Sequence, residues 1–430
     1  MRRVIVASLI GTSLEWYDFF IYGTAAALVF NKIFFPEFDP LVGTLLAFAT
    51  YAVGFVARPV GGIIFGHFGD RIGRKNVLVI TLLLMGIATF AIGVMPTYAT
   101  IGVWAPILLV ALRFLQGLGL GGEWGGAVLM TLESGDPQRR GLNASWPQVG
   151  VPIGLLLANG ALSLMGAVTT EAAFQSWGWR VPFLLSGVLV IVGLWIRLTI
   201  SESPLFRELE ASDTKVRAPI VDVVRLYPKQ VLLAIGARVG VDVAFYTFVL
   251  FITTYVVTYL ELPSSYALNA VLIAAACQIL LIPWFGTLSD RFGRRPVYLL
   301  GAIGAAIWVF VFFAMLDTGS YVMIVLATVV ALVLHAAMYG PQASFIAEMF
   351  PTKVRYTGAS MGYQLAGIVG GALAPIIAVA LLDRYDTSLV VSLYVVLTLA
   401  ITTVCVLAAP ETSKIDLHTD PVDDSTGRNS

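Results

Sequence analysis

The sequence predicts an all-α integral membrane protein with twelve transmembrane helices. Hydrophobic residues occupy 58% of its 430 positions and charged residues only 12%, about half of the charged fraction of an ordinary soluble domain. The mean hydropathy is +0.87. A soluble fold of this size would need far more polar surface to cover its core, so the composition favours lipid as the solvent.

Charge balance and cysteine content exclude several other classes of protein. Basic and acidic residues number 26 each, which leaves no positive excess for a nucleic acid to bind. Cys277 and Cys405 both lie in apolar stretches and are expected to pack as small apolar side chains. The first apolar stretch after Met1 has no cleavage site, so we expect it to remain as a membrane helix.

Apolar segments of roughly 20 residues, the length that crosses the hydrocarbon core, recur along the whole chain. They lack period-2 alternation, which indicates helices rather than a β-barrel, and the 41 glycines fit closely packed helices. The first six predicted helices are 5–30, 42–65, 76–95, 104–130, 143–166 and 181–200. The second six are 231–259, 266–286, 297–315, 320–345, 358–381 and 388–408.

The distribution of basic residues orients these helices in the membrane. Loops on one side contain only Lys32, Arg180 and Arg384, whereas the loops and termini on the other side carry most of the Lys and Arg. Because basic loops stay in the cytoplasm, both termini are predicted to be cytoplasmic.

The longest internal polar stretch divides the chain. Residues 201–229 predict a cytoplasmic linker between an N-terminal six-helix half, 1–200, and a C-terminal half, 230–412. The remaining residues, 413–430, form a short acidic tail that we expect to be disordered.

One loop motif, G-x-x-x-D-R-x-G-R-K/R, occurs in both halves. It starts at Gly66 after the second helix and again at Gly286 after the eighth, an offset of 220. Its glycines permit a tight turn and close helix approach, and its charges suit pairing with charges or helix ends of the other half. The charged members, all candidate gate residues, are Asp70, Arg71, Arg74, Asp290, Arg291 and Arg294. Four further gate candidates that repeat at an offset of 215 are Glu133, Arg140, Glu348 and Arg355.

Further motifs extend over nearly the whole chain. They are Glu15-Trp16-Tyr17-Asp18-Phe19, Arg113-x-x-Gln116-Gly117-x-x-x-Gly121-Gly122-Glu123-Trp124, Trp177-Gly178-Trp179-Arg180-x-Pro182-Phe183 and Phe350-Pro351-Thr352-x-x-Arg355-Tyr356-x-Gly358. With the repeated loop, they make the sequence resemble the major facilitator superfamily and, within it, the metabolite:proton symporter family. The resemblance implies the major facilitator fold, with twelve helices in two six-helix halves. Members of that family carry shikimate, 2-oxoglutarate, citrate, or proline and betaine, each with protons.

Seven ionisable residues lie deep inside predicted helices. A charge at the bilayer centre costs about 2.5–3.5 kcal/mol, so such residues must be paired, hydrated or neutralised. Depth along the helices predicts that Asp18 meets Arg113 and that Arg58 meets Glu123, and the i, i+4 spacing predicts an Arg238–Asp242 pair. Purely structural ion pairs are the alternative to a functional role. The seven residues are Glu15, Asp18, Arg58, Arg113, Glu123, Arg238 and Asp242.

The resemblance also implies roles for these residues. Sugar porters of the same superfamily pair an Asp in the first helix with an Arg in the fourth under proton control, which implies that Asp18 is the proton site and Arg113 its partner. Glu15 and Glu123 are further proton-coupling candidates, and Arg113 and Arg238 are candidate ligands for a substrate carboxylate. Other candidates for substrate binding are Tyr17, Gln116, Trp146, Gln148, Tyr246, Tyr339, Gln342 and Gln364.

The resemblance implies a monomeric secondary active transporter of the bacterial cytoplasmic membrane. It would import a small organic acid, shikimate-like or another mono- or dicarboxylate metabolite, by proton symport with alternating access. The expected partners are this substrate, protons and the lipid bilayer; no metal or cofactor and no enzymatic activity are expected. The alternatives are proton-coupled uptake of a zwitterion such as proline or betaine, export of a drug or metabolite by proton antiport, and a membrane sensor of transporter ancestry.

Overall fold

The computed structural model describes residues 2–38, 40–198 and 219–415, apart from some side chains, including that of Arg74. These residues form helices joined by short turns, mostly α-helix with several π-helical segments, and twelve of the helices are long and apolar enough to cross a membrane, as the hydropathy predicts. A short helix, Pro219–Leu226, precedes the seventh of them.

The twelve helices are labelled α1 to α12 in chain order. Those of the N-terminal half are α1 Arg2–Ala25, α2 Pro40–Ile72, α3 Arg74–Val94, α4 Trp104–Glu133, α5 Arg140–Val168 and α6 Arg180–Leu198. Those of the C-terminal half are α7 Pro228–Tyr259, α8 Ser264–Phe292, α9 Arg294–Leu316, α10 Tyr321–Glu348, α11 Arg355–Tyr385 and α12 Ser388–Ala408.

The packing pattern repeats between the halves. In the N-terminal half α1 packs on α5, α2 on α4 and α3 on α6, and in the C-terminal half α7 packs on α11, α8 on α10 and α9 on α12. The halves meet where α2 packs on α11 and α5 packs on α8. The repeat in the loop sequences is therefore also a repeat in three dimensions, as in transporters built from duplicated helix bundles.

Polarity is distributed as a bilayer requires. Large apolar side chains such as Trp195 and Leu280 are 69% and 77% exposed on the outside of the bundle, whereas Arg113 and Glu123 are fully buried inside it. Exposed apolar surface on this scale is stable only in contact with lipid.

The two repeated loops make the same turn. Gly73 and Gly293 have φ of +103° and +99°, a conformation that residues with a Cβ adopt only at a cost. These glycines separate α2 from α3 and α8 from α9 on the face where α1 begins and α12 ends, here named the termini face. This backbone requirement explains why the motif carries a glycine at this position in both halves.

Candidate functional site

Asp18 lies on α1, buried among helices of its own half. Its Oδ1 accepts a short hydrogen bond from Ser186 on α6, and the carboxylate is 4% exposed. The direct Asp18–Arg113 pair that depth predicts is not formed, because Gln116 lies between the two residues. Gln116 accepts a short hydrogen bond from Arg113 Nη1 and donates to the backbone oxygen of Asp18 at 3.2 Å.

Arg113 and Arg58 lie instead among aromatic rings. The Arg113 Cζ atom is 4.5 Å from the centre of the Phe19 ring, and the Arg58 Cζ atom is 3.9 Å from the same ring centre. Neither guanidinium forms an ion pair with a described residue. The predicted Arg58–Glu123 pair is also not formed, because Glu123 pairs with another arginine, Arg197.

Glu123 pairs instead with Arg197 of α6. Arg197 Nη2 contacts Oε1 of Glu123 at short range and Oε1 of Glu15 at 3.4 Å, and Thr81 Oγ1 donates to Glu123 Oε2 at 2.9 Å. All three charged side chains are at least 97% buried. Two carboxylates thus share one guanidinium, an arrangement with net charge −1 when all three groups are ionised and zero when one carboxyl is protonated.

The C-terminal half contains the predicted pair of Arg238 and Asp242. Arg238 Nη2 lies 3.0 Å from Asp242 Oδ1, and Arg238 Nη1 donates to Gln342 Oε1 at 3.0 Å. The Arg238 Cζ atom lies 3.1 Å from the centre of the Tyr363 ring. Arg238 is thus already bound to protein groups that compensate its charge.

A layer of aromatic and amide side chains joins the two halves beside this pair. Trp124 of α4 stacks on Tyr363 of α11 with ring centres 3.5 Å apart, and Trp124 Nε1 donates to Gln148 Oε1 at 2.8 Å. Gln148 Nε2 in turn donates to the backbone oxygen of Tyr339 on α10 at 3.4 Å, and the hydroxyls of Tyr339 and Tyr363 are 3.2 Å apart. These contacts close a ring across the interface.

Other predicted substrate contacts have partners within the protein. Tyr17 donates to the backbone oxygen of Pro182 at 2.8 Å, and Gln364 donates to the backbone oxygen of Gly121 at 3.0 Å. Trp146 packs against the hydrophobic core. Tyr246 of α7 faces the Phe55 ring, with centres 5.8 Å apart, and so places a C-terminal residue beside the rings around Arg58.

At the termini face each repeated loop caps a helix of the opposite half. Asp70 accepts hydrogen bonds from the backbone N–H groups of Tyr356 and Thr357, at 3.3 and 2.9 Å, in the first turn of α11. Asp290 accepts the N–H groups of Gly141 and Leu142, at 2.7 and 2.9 Å, in the first turn of α5. A carboxylate at a helix N-terminus satisfies free N–H groups and complements the helix dipole.

Buried ion pairs reinforce these caps. Arg294 contacts Asp290 at 2.6 Å and Glu348 at 3.1 Å, and Arg140 of the N-terminal half reaches Glu348 at 3.5 Å. In the repeat-related position Arg355 reaches Glu133 across the interface at 3.4 Å.

Two gate candidates, Arg71 and Arg291, stand apart from this network. Arg71 contacts His67 of its own helix at 3.3 Å, and Arg291 lies over the Phe292 ring, its Cζ atom 5.2 Å from the ring centre. The side chain of Arg74 lies outside the described residues.

Glu411, after α12, caps a further helix at the termini face. Its carboxylate accepts the backbone N–H groups of Arg294 and Arg295 at 2.8 and 3.0 Å, at the start of α9. Burial raises the pKa of Glu411, but hydrogen bonds from these backbone groups and from Ser413 outweigh burial and hold the pKa below its usual range.

Sequence reasoning missed Arg197 and the stacking of Trp124 on Tyr363. Arg197 is near the end of the predicted sixth helix, where its position suggests one of the cytoplasmic charges, although apolar residues flank it in Leu194-Trp195-Ile196-Arg197-Leu198. That flanking pattern is the signal that would have placed it inside the bilayer. No signal in the sequence pairs Trp124 with Tyr363, because their contact depends on how two distant helices are rotated. In the described part of the chain no group of three His, Cys, Asp or Glu residues is arranged to hold a metal ion.

Comparison with known proteins places this architecture in one family. The model for sugar (and other) transporters matches residues 3–218, and the Major Facilitator Superfamily model matches residues 262–422. The inner membrane metabolite transport protein YhjE of Escherichia coli (strain K12) is 42% identical over 96% of this chain and 94% of its own length. The shikimate transporter of the same organism is 44% identical, covering 89% of this chain and 88% of its own. A proline/betaine transporter of Escherichia coli is 32% identical over 92% of this chain and 80% of its own.

A solved structure shares the fold. The proton:xylose symporter XylE bound to 6-bromo-6-deoxy-D-glucose superposes with a TM-score of 0.80 over 97% of both chains, at 16% sequence identity. The family models, the relatives and the shared fold all describe transporters and none describes an enzyme. The chain therefore belongs to the major facilitator superfamily and is a multi-pass membrane transporter.

Proposed function

We propose that the protein imports a small organic acid together with protons across the bacterial cytoplasmic membrane. The names of the relatives support a metabolite as the substrate, and one of them is a shikimate transporter. The termini face, which carries most of the basic loops, would be cytoplasmic by the positive-inside rule.

The observation that carries the proposal is the environment of Asp18. Its carboxylate is buried, accepts a hydrogen bond from Ser186 and forms no ion pair with a described residue. An unpaired charge is costly in a low-dielectric interior, so such a carboxyl group is suited to take up and release a proton. The Glu15–Arg197–Glu123 cluster, in which two carboxylates share one cation, offers a second place for a proton in the same half.

Alternating access supplies the transport step. The hydrogen bonds that join the halves at Gln364, Asp70 and Asp290 lie in the half of the bundle nearest the termini face. This distribution supports a conformation closed toward the cytoplasm. Rocking of the two halves about the central site would break these contacts and open the opposite path.

Two alternatives differ from this proposal in measurable ways. The proline/betaine transporter among the relatives supports a zwitterionic substrate, but a zwitterion brings no net negative charge to balance Arg58 and Arg113. An exporter would move protons opposite to the substrate. The direction of proton movement therefore separates import by symport from export by antiport.

Uptake into proteoliposomes tests the proposal. We expect acidification of the outside to stimulate accumulation of at least one labelled acid from a panel of shikimate, 2-oxoglutarate, citrate and benzoate, and not of betaine. Liposomes without protein, and liposomes treated with a protonophore, are the controls. Absence of acid-stimulated uptake for every organic acid would contradict the proposal, and betaine uptake alone would favour the zwitterion.

A substitution at the interface tests the gate. A Cβ atom added to Gly66 of α2 would lie 3.0 Å from the Thr357 Cα atom of α11, so Gly66→Leu is expected to push the halves apart at the termini face. Hydrogen exchange of the Tyr356 and Thr357 amides, which Asp70 caps in the closed form, should become several-fold faster. Gly160→Leu is the matched control, because a Cβ atom there meets nothing within 4 Å. Unchanged exchange in Gly66→Leu would contradict the assignment of this contact to the gate.

A further inference from the structure

Two guanidinium groups share one aromatic site in the N-terminal half. The Phe19 ring lies within 4.5 Å of the Cζ atoms of both Arg58 and Arg113. Phe55 completes the surroundings of Arg58 at 4.4 Å, and the Tyr22 ring lies 4.3 Å from Arg113 Cζ. Both guanidinium groups are therefore surrounded by aromatic rings.

The same edge is unused on both arginines. Nε and Nη2 of Arg58, and Nε and Nη2 of Arg113, are buried and have no hydrogen-bond partner among the described residues. Nε–H and Nη2–H point in parallel from one side of a guanidinium, and together they form the fork that binds a carboxylate through two hydrogen bonds. Each arginine thus presents one complete carboxylate fork.

Buried donors without partners are rare in proteins, and each one requires a cause. Here the four donors belong to two positive charges that form no ion pair with a described residue, although Arg58 is 95% and Arg113 fully buried. Arginine cannot lose its proton to relieve this cost. Arg238 also has a buried Nε without a partner, but it differs because Asp242 and Gln342 bind its two Nη atoms. An anionic ligand would satisfy both the four donors and the two charges.

We propose that Arg58 and Arg113 form a two-fork binding site for a short dicarboxylate, with one carboxylate in each fork. The inference rests on the proposed function and specifies its substrate class. Glycine at position 54, one turn before Arg58, lets the Arg113 guanidinium lie against α2, because a Cβ atom there would be 2.7 Å from Arg113 Nε. A dicarboxylate fills both forks, whereas a monocarboxylate fills one and leaves the other without a partner, so the two forks favour the dicarboxylate.

Equilibrium binding to the full-length protein in detergent, without any gradient, tests the site. The ligands are succinate and glutarate, each compared with its monoamide, which keeps the shape and loses one carboxylate. We expect each dicarboxylate to bind about 100-fold more tightly than its monoamide, because a charge-assisted bidentate contact is lost. Arg58→Lys, which keeps the charge and removes the fork, should reduce dicarboxylate affinity to that of the monoamide. Arg384→Lys is the control, at an exposed position near the end of α11 and far from the termini face. It should change neither the affinity for the dicarboxylate nor the affinity for the monoamide.

A stability measurement distinguishes a ligand-binding role from a structural one. Arg58→Met removes a buried, unpaired charge, so the ligand-free variant should have a Tm at least as high as the wild type and should lose the rise in Tm that succinate produces. A lower Tm in the ligand-free variant would show that Arg58 supports the fold and would overturn the proposal. Equal affinity for each dicarboxylate and its monoamide would also overturn it.

These outcomes are separable from the outcome of the proton-coupling experiment. Preferential dicarboxylate binding without acid-stimulated uptake would contradict the proposed symport but would still support the two-fork site. Acid-stimulated shikimate uptake without preferential dicarboxylate binding would support the proposed symport but would overturn the two-fork site.

Discussion

In an Asp18→Asn variant we expect concentrative uptake driven by a proton gradient to be abolished, whereas exchange of substrate across the membrane continues. Asparagine keeps the shape of the side chain and its contact with Ser186 but cannot bind and release a proton. In the wild type, coupling to one proton lets a tenfold proton gradient sustain about tenfold accumulation. The measurement compares net uptake under an imposed gradient with counterflow of labelled substrate at equal pH.

The matched control is Asp383→Asn, which neutralises an exposed carboxylate near the end of α11. That variant should accumulate substrate as the wild type does. Full concentrative uptake by Asp18→Asn would show that another carboxyl group couples proton movement to transport. Glu123 and Glu15 would then be the next residues to substitute. Loss of counterflow together with uptake would indicate that Asp18 supports substrate binding or folding instead.

Removing the Arg197 guanidinium should cause a large loss of stability. Arg197→Met leaves Glu15 and Glu123 buried beside each other without their shared cation. Breaking a buried ion pair by deleting one partner costs about 3–5 kcal/mol in the free energy of unfolding. Thermal unfolding followed by tryptophan fluorescence measures the change as a lower Tm, and in cells the variant should be present at reduced levels.

A compensating variant identifies the cause of this loss. Neutralising both carboxylates in Glu15→Gln/Glu123→Gln/Arg197→Met removes the unpaired charges and should recover most of the Tm, whereas Arg384→Met on the surface should have almost no effect. A triple variant no more stable than Arg197→Met would mean that Arg197 stabilises the helices mainly through packing and its bond to the Leu78 backbone oxygen.

The sequence was sufficient to predict the helices and the repeated loops. Each span is long and apolar enough to be recognised without tertiary information, and the glycines and aspartates of the two loops are fixed by local needs, a positive φ and a helix cap. Features that depend only on neighbouring residues, such as a span, a turn or a helix cap, can be predicted from the sequence.

Pairing inside the bundle was much less predictable. Depth placed Asp18 level with Arg113 and Arg58 level with Glu123, but depth does not specify the rotation of a helix about its axis. Rotation and side-chain reach put Gln116 between the first two residues and put Arg197 beside Glu123. The Arg238–Asp242 pair was predictable because both residues lie on one helix, where spacing alone sets the distance.

The reciprocal caps formed by Asp70 and Asp290 have a consequence for the ionic environment of the transporter. When the halves separate at this face, four backbone N–H groups at two helix N-termini lose their carboxylates together. Each exposed N-terminus then attracts anions from the adjoining solution. Small anions such as chloride or phosphate would stabilise the open form, so the balance between closed and open states should depend on the salt composition at that side of the membrane.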